Sequence, residues 1–439
     1  MIGFWKRPLA YLERLRARYG KTFTLRLPAS PPLVVLTRPE DVKAIYTAPP
    51  DVLAPGQGAR ILEPIVGANS VILLDGDPHM SQRKLILPSF HGERMERLTG
   101  LIEEVTEREV ASWADEPELA LAPKMQRLTL EIILRAVFGL DPGPRLDALR
   151  SRLSALAAYG DKPITMLLPP PPESGDVLLD RIGPVKGFVT LRREIDALLF
   201  ALIEERRADE AGNSERDDVL STLLEARHED GSPMSDQELR DELMTLLLAG
   251  HETTASTLAW AFERLVRTPA ALERLVAEAT ESDGDADDPY LAATIQETLR
   301  CRPVLPNTAP RLVVEPIEVG GRRYEPGRRG PALVANAYLL HHDPDVYPDP
   351  YTFRPERFLD QAPGTYTWIP FGGGRRRCIG ASFATLEMRI VMRAILRTYD
   401  VRPLAATHEH AVRRNITVRP GAGSRIGIGR RPAPVAAAR

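Results

Sequence analysis

Between Ser235 and Pro269 the chain carries no proline, although 40 of its 439 residues are proline, about twice the usual share. The unbroken stretch opens with Ser235 and Glu238, an S-x-x-E capping box, and therefore predicts a helix that starts at Ser235 and continues until Pro269 stops it. At 1.5 Å per residue such a helix is about 50 Å long, the width of a whole domain. Its middle, Leu243 to Gly250, is apolar on nearly every face, which places it through a core rather than on one. The fold must be built around this element. Inside the core the helix then carries Gly250, His251, Glu252, Thr253 and Thr254 in succession, and buried polar groups are costly unless paired or used.

The remaining pattern is mainly helical with a small β region. Near the N-terminus a helix over Pro8 to Arg18 precedes two strands, Phe23 to Leu27 and Leu33 to Leu36, and a helix that Pro39 initiates. From Pro78 to about Leu224 apolar residues recur at three and four, as at Leu130, Ile133, Leu134 and Val137. Pro169 to Pro172 interrupt this pattern as a loop, a lid or a linker, and Ala208 to Asp218 form a polar surface connection. Asp288 and Pro289 open another helix, with Glu297 and Arg300 three apart on one face. Hairpin strands are expected from Arg311 to Ala337, and a long irregular segment over residues 341–376.

Composition removes several classes of function. The 57 basic and 60 acidic residues leave a net charge of −3, which favours neither a nucleic-acid partner nor an acidic tail. No run reaches the 18 or more apolar residues of a membrane span, so the expected location is cytoplasmic, without a membrane anchor. Two cysteines, Cys301 and Cys378, make neither a disulfide scaffold nor a four-thiolate metal site. If sulfur does chemistry here, it acts singly.

One of the two stands in Phe371-Gly-Gly-Gly-Arg-Arg-Arg-Cys378-Ile-Gly380, just ahead of a helical pattern over Ala381 to Leu396. The pattern F-x-x-G-x-x-x-C-x-G has a chance expectation of roughly 2 × 10⁻⁴ over the chain. A cysteine at a helix start, preceded by three arginines, is placed where thiolate is favoured over thiol. The glycines let backbone approach a flat ligand. Haem iron suits a lone thiolate, since porphyrin supplies four ligands and sulfur one axial position. Cys301, directly after the Glu297 to Arg300 helix, reads as a buried structural residue.

Together with Ala249-Gly-His-Glu-Thr-Thr254, Glu297-Thr-Leu-Arg300 and Pro355-Glu-Arg-Phe358, in that order, this loop resembles the cytochrome P450 monooxygenase family over nearly the whole chain. The resemblance implies one domain over residues 1–439, with a β-rich part near residues 20–50 and 311–337 and the rest helical. It implies haem b held between the central helix and the cysteine loop. Cys378 would be the iron ligand, with Phe371 beside the sulfur and Gly374 and Gly380 shaping the loop. His79, Arg83, Arg311 and Arg376 would meet the propionates, as cations meet carboxylates. Glu297, Arg300 and Arg357 would form a buried structural network. Glu252 and Thr253 would deliver the protons that dioxygen needs for O–O cleavage, Thr253 by bonding back to a carbonyl one turn earlier and opening a groove.

The expected reaction is hydroxylation or epoxidation of a lipophilic small molecule, terpene, fatty acid or polyketide-like, as in secondary metabolism. It uses O2 and electrons from a separate ferredoxin or flavodoxin with its reductase, which the arginines 375–377 could receive. Leu248, Ala249, Asn307, Thr308 and Ala309 are the expected substrate contacts. A peroxide-driven peroxygenase or haem isomerase would lack the acid-threonine pair or alter the cysteine loop, and a non-enzymatic haem-binding protein would need no proton relay. The segment Tyr324 to Pro331 is irregular where relatives run smoothly into a strand.

Overall fold

A computed structural model describes residues 2–27, 30–90, 92–159, 183–209, 216–281, 288–327, 330–359 and 361–432. The proline run Pro169 to Pro172 lies outside the described residues. The architecture is mainly α, with small sheets at its margin. No described helix is long and apolar enough to cross a membrane.

The central helix spans Asp236–Leu265, and its capping box forms as expected: Ser235 accepts from Glu238 N, while the Glu238 carboxylate accepts from Ser235 N at 2.8 Å. It ends four residues before Pro269, earlier than expected, because Pro269 opens a helix of its own, Pro269–Glu281, and a residue before proline disfavours the α conformation. Its most extensive partner is helix Leu121–Phe138, whose Leu130, Ile133, Leu134 and Val137 are all buried, as their spacing predicts. Gly250 lets these helices approach. A Cβ there would lie 2.9 Å from Ile133 Cδ1, closer than real Cβ atoms come. The expected surface connection over Ala208 to Asp218 fails at its end, since Asp218 is buried and pairs with buried Arg206 at 2.9 Å.

The β region departs from expectation in an instructive way. Strands Thr22–Leu25 and Leu33–Leu36 pair antiparallel, but the sheet then continues with Ala332–Ala335, which lies parallel to Leu33–Leu36, and with Arg311–Val313 and Leu53–Ala54. Of the strands expected from Arg311 to Ala337, only Ile317–Val319 and Arg322–Tyr324 form a local hairpin. The other two are drawn into the N-terminal sheet, where Leu333, Val334 and Ala335 are wholly buried. The expectation that everything outside residues 20–50 and 311–337 is helical also fails. Glu118–Ala120, Tyr399–Pro403 and Arg425–Arg430 make a three-stranded sheet, and Ala411–Arg414 pairs with Thr417–Pro420. Residues 341–376 are irregular as expected, relieved among the described residues only by a final helical residue at His341 and 3-10 turns at Pro355–Phe358 and Gly374–Arg376.

Gly250→Ala should destabilise the fold by about 1–3 kcal/mol through overpacking. Measured by urea unfolding, Gly250→Ala combined with Ile133→Val, which removes the obstructing methyl, should cost less than the sum of the two single changes.

Candidate active site

The cysteine loop is a backbone device. Gly372 and Gly374 take φ of 68° and 62°, the left-handed region that side chains resist, and Cys378 N donates to Phe371 O at 2.9 Å to close the turn. A Cβ at Gly373 would strike the Tyr46 ring at 2.4 Å, and one at Gly374 would meet Tyr46 O at 2.4 Å, so this loop is pressed onto helix Pro39–Thr47. Helix Ala381–Thr398 follows immediately. Gly380 is different: its φ is −83°, and a Cβ there would meet no protein atom within 4 Å. Among the described residues no neighbour demands glycine at 380, and the space beside its backbone is open. Phe371 stacks edge-on with Trp368, whose Nε1 donates to Gln296 O at 3.1 Å.

Cys378 is exposed, while Cys301 is buried, as expected. The Cys378 thiol is not poised as thiolate by its surroundings alone. Desolvation pushes its pKa up, against the pull of the Gly380 N–H, Arg83 and Arg377, so the sequence argument named real contributions but missed the larger opposing one. A bound cation would reverse that balance.

Next to the cysteine loop three arginines and a histidine converge from three elements: His79 and Arg83 on helix Gly76–Ile86, Arg311 on its strand, and Arg376 in the loop. Their mutual repulsion is legible in the protonation equilibria. Burial first, then Arg376 and Arg83, lower His79 to about 3, and burial lowers Arg376 to about 10 with Arg311 and Arg83 adding to the effect. One carboxylate, Asp75, answers them. It stands at the helix N-cap position but makes no capping bond, accepting instead from Gly56 N at 2.8 Å, Gln57 N at 3.1 Å and Arg376 at 2.7 Å. Arg311 is buried, stacks over Tyr46 at 5.0 Å, and makes no hydrogen bond or ion pair among the described residues. A buried guanidinium left so is a standing demand for an anion. The donor set fits a dianionic porphyrin edge. Asp75 was missed in the sequence because an aspartate before a helix ordinarily reads as a cap.

The central helix supplies the opposite wall. Along its mostly buried middle, Leu246, Leu248, Gly250 and Thr253 are half-buried and Ala249 is exposed, so the helix is open to a cleft over this stretch. Thr253 Oγ1 donates to Ala249 O at 2.7 Å, the back-bond expected, and Thr254 and Thr257 do likewise to Gly250 O and Thr253 O. His251 Nδ1 is 2.8 Å from Leu247 O, which can only accept, so Nδ1 carries the hydrogen, and burial lowers the imidazole pKa. Glu252 turns away to the strand pair at the C-terminal end of the chain, where Thr417 Oγ1 lies 2.9 Å and Arg414 Nε 3.6 Å from its Oε1. Neither partner was anticipated, since nothing local in the sequence joins residues 252 and 417. Among the remaining expected contacts, Ala309 is exposed, while Asn307 and Thr308 are engaged in the sheet margin: Asn336 Nδ2 donates to Asn307 Oδ1 at 2.6 Å, and Thr308 N and Oγ1 both donate to Ala335 O.

The two walls are joined by residues 67–75. On the helix side Asp241 accepts from Asn69 N at 3.0 Å, Glu242 from Val71 N at 2.7 Å, and Thr245 Oγ1 lies 2.6 Å from Ser70 Oγ. On the loop side Arg376 donates to the carbonyls of Val71, Ile72 and Leu74. Burial pushes Glu242 up to about 8. Of the three arginines before Cys378, therefore, Arg376 points inward and only Arg375 and Arg377 are exposed.

Glu297 and Arg300 lie on helix Pro289–Cys301, both 0% exposed, and pair in a fork at 2.6 and 2.8 Å. Arg357 Nε approaches the same carboxylate at 3.3 Å. The guanidiniums then reach into the irregular segment, Arg300 to the carbonyls of His341, Pro350 and Thr352, Arg357 to those of Pro348, Asp349 and Thr352. The three expected residues are thus brought together.

Comparison with known proteins gives one answer. A family model described as Cytochrome P450 matches residues 1–423. Two Mycobacterium tuberculosis proteins, named cytochrome P450 135B1 and cytochrome P450 138, are each 38% identical to the chain and cover 96% of it, with 87% and 91% of their own lengths matched. Among solved structures, a retinoic acid bound cyanobacterial CYP120A1 superposes with a TM-score of 0.81 at 22% identity, over 95% of this chain and 93% of that one. The haem domain of cytochrome P450DA gives 0.80 at 23% identity, over 97% and 93%.

Glu297→Ala would leave Arg300 charged and buried without its counter-ion. It should cost about 3–5 kcal/mol in denaturant unfolding and lower the haem-to-protein ratio of the purified protein.

Proposed function

Because the chain belongs to the cytochrome P450 family and is thus an oxidoreductase of the P450 monooxygenase type with haem iron as cofactor, we propose that it holds haem b and oxidises a lipophilic small molecule by hydroxylation or epoxidation, acting in the cytoplasm as a single domain. Haem iron, when bound, would supply the activation of dioxygen, and a thiolate ligand would favour O–O cleavage. The observation that carries this reading is the pairing of an accessible Cys378 with a buried, anion-seeking cation cluster beside it.

In this reading Cys378 is the iron ligand, and Phe371, Gly374 and Gly380 keep the loop flat against the macrocycle. His79, Arg83, Arg311 and Arg376 hold the propionates, whose charge relieves the repulsion among the cations. Thr253 has given its own hydrogen to Ala249 O, so its oxygen offers lone pairs to the cleft and orders a protonated group or water there. Glu252, whose carboxyl is bonded here to Thr417 away from the cleft, relays a proton toward that water when it turns back, a general-acid role. Leu248, Ala249 and Ala309, apolar and open, exclude water and orient the substrate, with Asn307 and Thr308 at the margin. The substrate class is terpene, fatty acid or polyketide-like, a product of secondary metabolism. Electrons come from a separate redox partner, a ferredoxin or flavodoxin with its reductase, whose acidic face would meet Arg375 and Arg377.

Two experiments test this. The reduced, carbon monoxide-bound protein should give the red-shifted Soret band of thiolate-ligated haem, and Cys378→Ser should abolish it. Thr253→Ala should lower product formed per reducing equivalent by about tenfold while substrate binding, followed by the haem spin-state shift, is retained. Unchanged coupling would remove Thr253 from the relay.

A further inference from the structure

Two acceptors compete for one hydrogen on Thr417. Its Oγ1 stands 2.9 Å from Glu252 Oε1 and 2.8 Å from the backbone oxygen of Arg414. A hydroxyl owns a single hydrogen but can also accept. When Glu252 is ionised, Thr417 can turn that hydrogen to the carboxylate. When Glu252 carries a proton, the carboxyl O–H can donate to Thr417 Oγ1, and the hydroxyl then turns its own hydrogen to Arg414 O. Arg414 Nε, 3.6 Å from Glu252 Oε1, attracts only the ionised form. Glu252, Arg414 and Thr417 are 7%, 5% and 6% exposed, so most of the hydrogen bonding to the carboxyl comes from side chains rather than from bulk water.

We infer that Thr417 is a positioning residue for Glu252, a hydroxyl that turns between two acceptors and so keeps the Glu252 carboxyl hydrogen-bonded both with and without its proton. Its value to the reaction rests on the proton-relay reading of Glu252 given above. No proton crosses Thr417, because a backbone carbonyl accepts a hydrogen bond but not a proton. The relayed proton leaves Glu252 for water in the cleft beside Thr253 and is replaced from water, while the threonine hydrogen stays on its own oxygen. The other ionisable group beside Glu252 on its own helix, His251, is held neutral by burial, with its Nδ1–H committed to Leu247 O, so it does not compete as the donor. Arg414 is the charged group facing Glu252 from the strand pair.

The infrared difference between the haem-loaded full chain and its Glu252→Gln variant isolates the Glu252 carboxyl, and recording it at acid and at alkaline pH captures both forms. Thr417→Val should displace the neutral C=O stretch and the carboxylate stretch alike, each having lost a hydrogen-bond partner, and Thr417→Ser should restore both. Arg414→Gln should displace the carboxylate stretch and leave the neutral one in place, a separate check should the valine variant fold poorly. If Thr417→Val moves neither band, Thr417 serves only to tie its own strand turn and the inference falls. Product formed per reducing equivalent decides the other question: Glu252→Gln with full coupling would overturn the relay reading, whereas band shifts in Thr417→Val would still uphold the hydroxyl switch.

Discussion

The Glu297–Arg300 pair is the contact from which the site is hung. Both residues are removed from water, and both oxygens of the carboxylate are committed to the fork. Such a pair adds little net stability over a well-packed apolar substitute, because desolvation of the two charges offsets their attraction. Its contribution is direction. The guanidinium N–H groups left over after the fork can be satisfied only by acceptors at fixed angles, and they find them in carbonyls of residues 341–352. His341 extends the arrangement, its Nδ1 near Arg300 O and its Nε2 accepting from Ile369 N at 2.9 Å, two residues before Phe371. A segment with almost no regular structure is thereby delivered to the cysteine loop in one conformation.

Charge is distributed in two opposed ways across the molecule. Around Glu297 every formal charge has a short-range partner, and the result is rigid. Around Arg311, cations accumulate faster than carboxylates answer them, and among the described residues Asp75 alone cannot balance Arg83, Arg311 and Arg376. The first pattern belongs to a scaffold and the second to a binding site that expects its counter-charge from outside. Residues 67–75 connect the two walls of that site, so a displacement of Arg376 is felt by the backbone that the central helix holds through Asp241 and Glu242.

How much of this was legible follows from how local the signals are. The central helix could be read because its start is a capping box and its body lacks proline, both properties of adjacent residues. The cysteine loop could be read because glycine spacing and a lone cysteine encode backbone shape directly. The strands after Thr398 were invisible: they are four to six residues long, and their partners include Glu118–Ala120, some 300 positions away. The partners of Glu252 escaped for the same reason, since Arg414 and Thr417 meet it only through tertiary packing. Asp75 shows a further limit, that a residue at a standard capping position can be drawn off by a stronger acceptor demand elsewhere. The thiol of Cys378 shows another, because helix dipole and neighbouring arginines can be counted in a sequence whereas desolvation cannot.

The sheet that joins Leu33–Leu36 to Ala332–Ala335 sets the order in which the protein can be made. Strand Leu33–Leu36 leaves the ribosome early, with Val35 and Leu36 destined for complete burial, yet its parallel neighbour is synthesised about 300 residues later. Until then its free edge and apolar side chains are exposed, a state open to wrong pairing. Closing so long a loop before any contact repays the entropy makes this late step slow. The cysteine loop, packed through Gly373 and Gly374 onto Tyr46 of the early helix, emerges later still. The final shape of the cofactor site is therefore a product of the finished chain.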